Sequence, residues 1–350
     1  MQNVTFAQWK YLGFLTVPLV GFVSLYGEGA WTYGIVFYAF GLVPLLELWF
    51  KPSTANLNEE QLKRFKSNPF FNRLVFSVVP LYVILLSLFL TRLSTTDLTP
   101  LEYSGVVISF GIVCGVIAIN IGHELGHRHN QFERTLGEIL LVLALQAHFL
   151  PYHNHGHHRN VATPVDPATA RRNEPIYLFW FRSQIGSYLS AWRIEYRRLT
   201  NKQRNPFSFG NRMIRYTVME ATIVFMIYQW FGLETLIAYF LICFIGMLLL
   251  ETVNYIEHYG LLRKKISADK YERVSPKHSW NSDHLLGRIL LFELSRHSDH
   301  HANPTKPYQC LESYQESPQM PTGYPGMMLL SLLPPLWFRV MNRKLATLEK

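Results

Sequence analysis

The chain has 350 residues, of which 49% are hydrophobic and 16% charged, and its formal net charge is +9. Its apolar residues form long uncharged runs, which argues against a soluble two-domain protein and for a single membrane domain over residues 1–350. The three cysteines, Cys114, Cys243 and Cys310, have no Cys-x-x-Cys spacing, so we expect neither a disulfide framework nor a thiolate metal site.

Long apolar runs predict an all-α integral membrane protein with six transmembrane helices, because about 20 residues are needed to cross roughly 30 Å of hydrocarbon. Lys10 is the only charged residue before the first run, and the run has no cleavage site of small residues, so we interpret it as an uncleaved span. The predicted spans are 11–26, 29–46, 74–91, 103–122, 216–233 and 235–250.

Three other apolar segments are not expected to cross the membrane. Residues 135–152 are interpreted as a cytoplasmic or re-entrant helix. Residues 176–204 mix aromatic side chains with arginines, as helices that lie at the membrane interface do. Residues 321–343 hold Pro325, Pro334 and Pro335, which argues against a seventh span.

Basic residues are concentrated in alternate loops. Between Arg159 and Arg215 there are eleven Lys or Arg against three acids, and 51–73 adds five more, whereas the intervening loops carry Arg92 alone. The positive-inside rule therefore predicts a multi-pass protein of the cytoplasmic (inner) membrane with both termini in the cytoplasm. Orientation of the protein in the membrane and contact of its basic loops with lipid therefore account for the positive charge, so no nucleic-acid partner is expected.

Histidines are the most informative residues, since nine of the 14 form four short clusters: two in HELGH, three of the four in HNHGHH, one in NYIEHYG and three in HSDHH. Imidazoles three or four residues apart share one face of a helix, and one ion cannot use nine of them, so we predict two metal ions. The six-span topology brings all four clusters to a cytoplasmic-side cap formed by residues 123–215 and 255–350. The predicted metal ligands are His123, His127, His153, His157, His158, His258, His297, His300 and His301.

Neutral imidazoles supply no negative charge, so two divalent ions would need carboxylates beside the ligating rings. The candidates for these carboxylates are Glu124, Asp166, Glu257 and Asp299. The remaining histidines are expected to be structural or solvated, and they are His129, His148, His155, His278 and His284. Zinc or copper would also bind nitrogen, so this chemistry leaves the metal open.

Two other functions fit part of this pattern. HELGH alone matches the H-E-x-x-H signature of zinc proteases, in which Glu124 would be the general base. A metal-binding transporter is the alternative outside enzymology. A protease needs only one more ligand, which would leave most of the other clustered histidines unexplained.

The strings HELGHR, HNHGHH followed by VATPVDPATA, NYIEHYGLLR, RHSDHHANPTKPYQ and MPTGYPGM closely resemble the integral-membrane alkane 1-monooxygenases, a group of histidine-box membrane di-iron hydroxylases and desaturases. The resemblance covers roughly residues 57–343. It implies a non-haem di-iron centre of two iron ions held by the nine histidines. It also implies hydroxylation of the terminal methyl of medium- or long-chain n-alkanes to 1-alkanols, with O2 as oxidant. Electrons would come from rubredoxin and its NADH-dependent reductase.

Two features depart from the usual pattern of that family. Tyr152 and His155 stand where the second box usually has Glu and Arg, and ELWFK at 47–51 replaces an acidic turn. Oxidation of another apolar substrate, such as fatty acyl desaturation or hydroxylation of aromatic methyls or terpenes, is the alternative. Scattered cysteines cannot build a rubredoxin iron site, so a separate donor is expected to dock on basic residues, namely Arg171, Arg172, Arg197 and Arg198.

Overall fold

The computed structural model describes residues 7–268 and 270–348 and is mostly helical. Six helices cover the first part of the described chain, and the second of them combines 3-10, α- and π-helical turns. They are α1 (Trp9–Tyr26), α2 (Gly29–Trp49), α3 (Glu59–Ser67), α4 (Pro69–Thr95), α5 (Pro100–Gly126) and α6 (Gln131–Leu143).

The second part contains seven more helical elements and one small hairpin. The seventh element, α7, consists of Phe149–Tyr152, a π-helical turn at His153–His157, and His158–Asn160. The others are α8 (Ile176–Thr200), α9 (Arg212–His258), antiparallel β1 (Lys265–Ser267) and β2 (Lys270–Tyr271), α10 (Leu285–Leu290), α11 (His297–Ala302), α12 (Tyr324–Ser331) and α13 (Pro334–Leu348). Short 3-10 turns form at Pro276–His278 and Tyr308–Cys310.

Local sequence explains where several helices begin. The side chain of Asn68 accepts a hydrogen bond from the backbone two residues on, and proline follows it at the first position of α4. Thr99 and Glu102 form a capping box at the start of α5. Asn130 caps α6 in the same way as Asn68 caps α4.

Five helices of the described chain, α1, α2, α4, α5 and α9, are long and apolar enough to cross a membrane. The first four coincide with the first four predicted spans. The last two predicted spans, 216–233 and 235–250, both lie in α9, which has 47 residues. At about 1.5 Å per residue, a straight helix of that length would be roughly twice as long as the hydrocarbon layer is thick. Gly232 interrupts α9 with φ 81° and ψ 177°.

The three apolar segments that were not predicted to span also lie largely in helices. Residues 135–152 are divided between α6 and α7 by a turn at Leu145, whose φ is +53°. Neither piece is long enough to span, as expected. The predicted interface segment 176–204 is largely the helix α8, and 321–343 is divided between α12 and α13. Which of these segments contacts lipid stays a prediction.

The chain divides into two compact units. Unit 1 comprises the described part of residues 1–41, together with Ser67–Leu150 and Glu195–Leu249. Unit 2 comprises Leu42–Lys66, Pro151–Ile194 and the described part of residues 250–350. Whether both belong to a single membrane domain stays a prediction.

Close helix contacts in unit 1 depend on glycine. A Cβ atom at Gly105 would lie 2.1 Å from the Thr32 hydroxyl oxygen, and one at Gly111 would lie 2.5 Å from Ile245 Cβ. Small residues let helix backbones approach in membranes, where hydrophobic burial between helices is weak. The apolar spans of unit 1 therefore pack through backbone proximity.

A buried network of charges precedes α11 in unit 2. Arg288 forms an ion pair with Glu293, and Arg296 lies 3.3 Å from Asp283. All four side chains are buried. Phe292 and Glu293 have φ of +51° and +58°, values that are unusual outside glycine and asparagine. The ion pairs hold this strained turn directly before the histidines of α11.

Glu47, at the end of α2, is a buried carboxylate in unit 2. Its Oε1 atom accepts a 2.7 Å hydrogen bond from the backbone N–H of Gly287. The other oxygen lies against Gly323, where an added Cβ would be only 1.9 Å from it. Glycine at 323 is therefore required for the carboxylate to reach this position.

We predict that Gly323→Ala lowers the stability of the folded protein by about 2 kcal/mol, because the methyl group would displace Glu47 and leave Gly287 N–H unpaired. The measurement is the midpoint of thermal unfolding of the purified protein in lipid nanodiscs. Gly41→Ala is the control, because no heavy atom lies within 4 Å of a Cβ there. Equal midpoints for the two variants would contradict the prediction.

Candidate metal centre

Four histidines of unit 2 form a compact buried group. His157 comes from α7, His258 is the last residue of α9, and His297 and His301 lie one turn apart on α11. Their ligand nitrogens all lie within 4.8 Å of one another. The i, i+4 spacing of HSDHH therefore directs two imidazoles at one point, as the sequence predicts.

The nitrogens of this group face each other directly. Nε2 of His297 lies 3.2 Å from Nε2 of His258 and 2.8 Å from Nε2 of His301. Each neutral imidazole has one N–H and one lone pair, so several Nε2 atoms around one point cannot all be satisfied by each other. A central cation satisfies all of the lone pairs at once, so this donor set fits a metal ion.

A second set of three histidines also belongs to unit 2. His153 and His158, from α7, have Nε2 atoms 3.0 Å apart. The ring of His300 lies 6.0 Å from that of His153 and 4.9 Å from that of His158. Burial lowers the pKa of His300 to about 3, which keeps its imidazole neutral and able to bind a metal.

The remaining predicted ligands, His123 and His127, lie at the end of α5 in unit 1. They are four residues apart, their ring centroids are separated by 4.9 Å, and their ligand nitrogens lie within 4.8 Å of each other. His123 is buried. Their geometry is that of an i, i+4 pair on one helix face.

Asp166 orients His157. Its Oδ2 atom lies 2.9 Å from Nδ1 of His157 and also accepts a hydrogen bond from the Thr169 hydroxyl, and its Oδ1 atom accepts one from the Tyr152 hydroxyl. Burial acts to raise the pKa of the Asp166 carboxyl, but His157 and the two hydroxyls lower it more, and it stays below its ordinary value.

A carboxylate at this position accepts the Nδ1–H of His157 and leaves the Nε2 lone pair for a ligand. Nε2 of His157 is buried and has no hydrogen-bond partner among the described residues. This orphaned nitrogen is a second observation that fits a metal ion.

Glu257 is also buried and lies against the four-histidine group. Its Oε2 atom is 3.1 Å from Nε2 of His297, and its Oε1 atom accepts a 2.7 Å hydrogen bond from the Tyr324 hydroxyl. It therefore places a carboxyl group at the convergence point of the imidazoles.

The other two candidate carboxylates have cationic neighbours. Asp299 is buried on α11, where it accepts hydrogen bonds from Lys306 Nζ and from the backbone N–H of Glu312, both at 2.7 Å. Glu124 forms a 2.7 Å ion pair with Arg128. A support role for these two acids stays a prediction.

The five histidines outside the clusters belong to neither metal-capable group of the described residues. His129 and His155 are exposed, and His148 is buried. Nε2 of His278 lies 3.2 Å from Glu272, and Nδ1 of His284 lies 3.1 Å from a serine hydroxyl.

The roles of Tyr152 and Tyr324 were not predicted from the sequence. Each is a buried tyrosine whose hydroxyl donates to a carboxylate that in turn contacts a histidine of the four-histidine group. The only signal in the sequence was position. Tyr152 immediately precedes the second cluster, and Tyr324 lies in the MPTGYPGM string.

Residues 102–331 match the fatty acid desaturase family. The alkane 1-monooxygenase of Ectopseudomonas oleovorans is 38% identical over 344 residues, which covers 96% of this chain and 85% of that protein. Alkane 1-monooxygenase 1 of Alcanivorax borkumensis is also 38% identical, over 92% of this chain and 80% of that protein. The chain belongs to the membrane alkane 1-monooxygenases of the fatty acid desaturase family. The resemblance drawn from the histidine boxes is thereby confirmed, and an oxidoreductase is favoured over a protease or transporter.

A more distant relative is the xylene/toluene monooxygenase hydroxylase component of Pseudomonas putida. It is 28% identical over 70% of this chain and 64% of that protein. The alkane 1-monooxygenases are therefore more similar to this chain, and over more of its length, than this relative that is named for aromatic substrates.

We predict that Asp166→Asn lowers the affinity of the purified protein for Fe(II) about 10- to 100-fold, because an amide no longer fixes the Nδ1–H tautomer of His157. The measurement is competition with a chromophoric chelator. Glu316→Gln is the control, since Glu316 is exposed and its partner is the exposed Lys277, 3.8 Å away. Equal affinities for the wild type and Asp166→Asn would show that Asp166 only packs.

Proposed function

We propose that this monooxygenase hydroxylates the terminal methyl group of medium- and long-chain n-alkanes to give 1-alkanols, using O2 and two iron ions. The observation that carries the proposal is the buried convergence of His157, His258, His297 and His301 in unit 2. The close alkane 1-monooxygenase relatives support the substrate class.

One iron would be held by the four-histidine group. His153, His158 and His300 would be ligands of the other iron, and His123 and His127 stay predicted ligands. Bound iron would activate dioxygen for the oxidation of an unactivated methyl group. No side-chain acid or base can supply that chemistry.

The chain's own residues hold and insulate this chemistry. Asp166 keeps His157 in one tautomer, and Tyr152 in turn fixes Asp166. Glu257 and Asp166 offset part of the positive charge in a buried environment. An n-alkane has no polar group, so its binding depends on burial at about 0.8 kcal/mol per CH2.

Hydroxylation needs electrons from outside the chain, and we propose rubredoxin as the donor. Of the four arginines predicted to dock it, Arg171, Arg172 and Arg197 are exposed. Arg198 is half-buried and forms an ion pair with Glu195, which reduces the positive charge that it offers to a partner.

We also propose that six spans cross the cytoplasmic (inner) membrane and that both termini lie in the cytoplasm. The length of α9 and its interruption at Gly232 support two spans in that helix, joined near residues 230–234. The glycine backbone at φ 81° allows the chain to leave the helical path there.

Oxidation of aromatic methyl groups is the second candidate function. It is favoured by the similarity to the xylene/toluene monooxygenase component, because a toluene methyl is also an apolar C–H donor without a polar handle. The two candidates share the metal site and differ only in the shape of the substrate pocket.

The test is product analysis by mass spectrometry. Iron-loaded protein in nanodiscs receives n-alkanes, rubredoxin, its reductase, NADH and isotopically labelled dioxygen. We expect 1-alkanol that carries the label. His258→Ala is the matched variant, in which loss of one imidazole is expected to lower bound iron and abolish the labelled product.

Labelled benzyl alcohol from toluene without labelled 1-alkanol would reverse the order of the two candidates. No labelled product from either substrate, with iron bound and NADH consumed, would reject both.

The topology is tested by labelling cells with a membrane-impermeant maleimide. We expect Glu234→Cys to react in intact cells and Lys344→Cys to react only after permeabilisation, because six spans place these positions on opposite sides. Both positions are exposed, and all three native cysteines are buried. Labelling of Lys344→Cys in intact cells would instead support five spans.

A further inference from the structure

We propose that an acidic one-electron carrier protein docks on an exposed cationic surface of unit 2 and that Tyr259 connects this surface to His258. The cationic surface consists of Arg171, Arg172, Arg339, Arg343 and Lys344. The proposal rests on the proposed function, because monooxygenation requires an external source of electrons.

The helix α13 provides three of the five cations. Trp337, Met341 and Leu345 bury one face of this helix. Arg339 and Arg343, four residues apart, are exposed on another face, and residues 334–348 contain no Asp or Glu. The exposed side of α13 therefore carries positive charge without an acid on the same helix to offset it.

A hydrogen bond between their neighbours holds Arg171 and Arg172 beside α13. Nδ2 of Asn342, on α13, donates to Oδ1 of Asn173 at 2.7 Å. Because Asn173 directly follows Arg172 and Asn342 directly precedes Arg343, the two basic segments are held side by side. Such an arrangement attracts negatively charged partners.

Tyr259 lies directly beneath the junction of these two segments. Its ring is fully buried, and its hydroxyl donates to Oδ1 of Asn342 at 3.0 Å and accepts from the N–H of Asn173 at 2.9 Å. In the chain it follows His258, the predicted iron ligand that closes α9. One aromatic residue therefore separates the candidate metal centre from the cationic surface.

Packing fixes the ring of Tyr259 in this position. Its centroid lies 5.3 Å from that of Trp337 and 6.3 Å from that of Phe338, with which it is stacked. Its backbone carbonyl accepts a 2.9 Å hydrogen bond from Trp280 Nε1. A rigid contact of this kind suits electron tunnelling from a docked carrier, in which the tyrosine itself is not left oxidised.

The electron balance defines the carrier. The reaction is RH + O2 + 2 e⁻ + 2 H⁺ → ROH + H2O, so a one-electron carrier is oxidised in two successive encounters and the protons come from solvent. Transient encounters of this kind depend on charge steering and weaken as salt rises. The cationic surface has the charge that such encounters need.

Anionic lipid is the competing partner, because α13 also exposes Leu336 and Leu348 beside its cations. Lipid binding gives no reason for the hydrogen bonds that link Asn173 and Asn342 to Tyr259. The observations therefore favour a protein donor, and lipid becomes an outcome of the test.

The first experiment measures binding of oxidised rubredoxin to the full chain in phosphatidylcholine nanodiscs, with and without iron. We expect the double variant Arg339→Glu, Arg343→Glu to raise the Kd at least about tenfold at low salt, an effect that high salt removes. The double variant Lys202→Glu, Arg204→Glu is the control. It reverses two exposed cations that belong neither to the cationic surface nor to the four predicted docking arginines, and it should leave the Kd within about twofold.

The second experiment tests the route. Tyr259→Phe keeps the ring but loses both hydrogen bonds to the surface. Because the variant leaves every charge of the cationic surface in place, we expect an unchanged Kd for rubredoxin. The ratio of the rubredoxin-driven to the dithionite-driven hydroxylation rate should fall by about tenfold. Thermal unfolding of this variant separates a loss of coupling from a loss of fold.

Three results would overturn the proposal. The first is an equal rise in Kd for both double variants, and the second is an unchanged rate ratio for Tyr259→Phe. The third is a result in which Arg339→Glu, Arg343→Glu keeps the wild-type Kd for rubredoxin but no longer binds phosphatidylglycerol vesicles, which would assign the surface to lipid. Absence of hydroxylation with either reductant would instead refute the proposed function, so the two failures are distinguishable.

Discussion

The structure of unit 2 depends on one unfavourable arrangement, the mutual approach of buried imidazole nitrogens. Nε2 atoms of His258, His297 and His301 lie 2.8 to 3.2 Å from a neighbour, at a site from which water is largely excluded. Lone pairs at such distances repel one another unless protons or a cation intervene. Burial opposes protonation, as the low pKa of His300 illustrates, so the arrangement calls for a metal ion.

Holding these rings together requires rigid support from outside the imidazoles. Tyr152 positions Asp166, which positions His157, and Tyr324 positions Glu257 beside His297. Each of these contacts is buried, so the loss of one partner would leave a polar group without solvent. The supporting residues come from sequence-distant segments, which explains why unit 2 combines short helices and turns with dense polar contacts.

Much of this could be predicted from sequence, for identifiable reasons. Imidazole spacing within one helix turn is a local property, so the grouping of His297 with His301 followed from the sequence. Hydropathy located the first four spans but could not show that 216–233 and 235–250 belong to one interrupted helix, since that depends on the backbone of Gly232. The contact of Glu47 with Gly287 joins residues 240 positions apart, which no local pattern encodes.

The departures from the usual second histidine box have a simple physical consequence. Tyr152 is a neutral donor to Asp166, and His155 is exposed and lies outside both metal-capable groups of the described chain. Neither residue belongs to a metal-capable group of the described chain, so both changes leave the predicted ligands in place. A neutral tyrosine adds no charge beside Asp166, so the carboxylate keeps its full effect on His157.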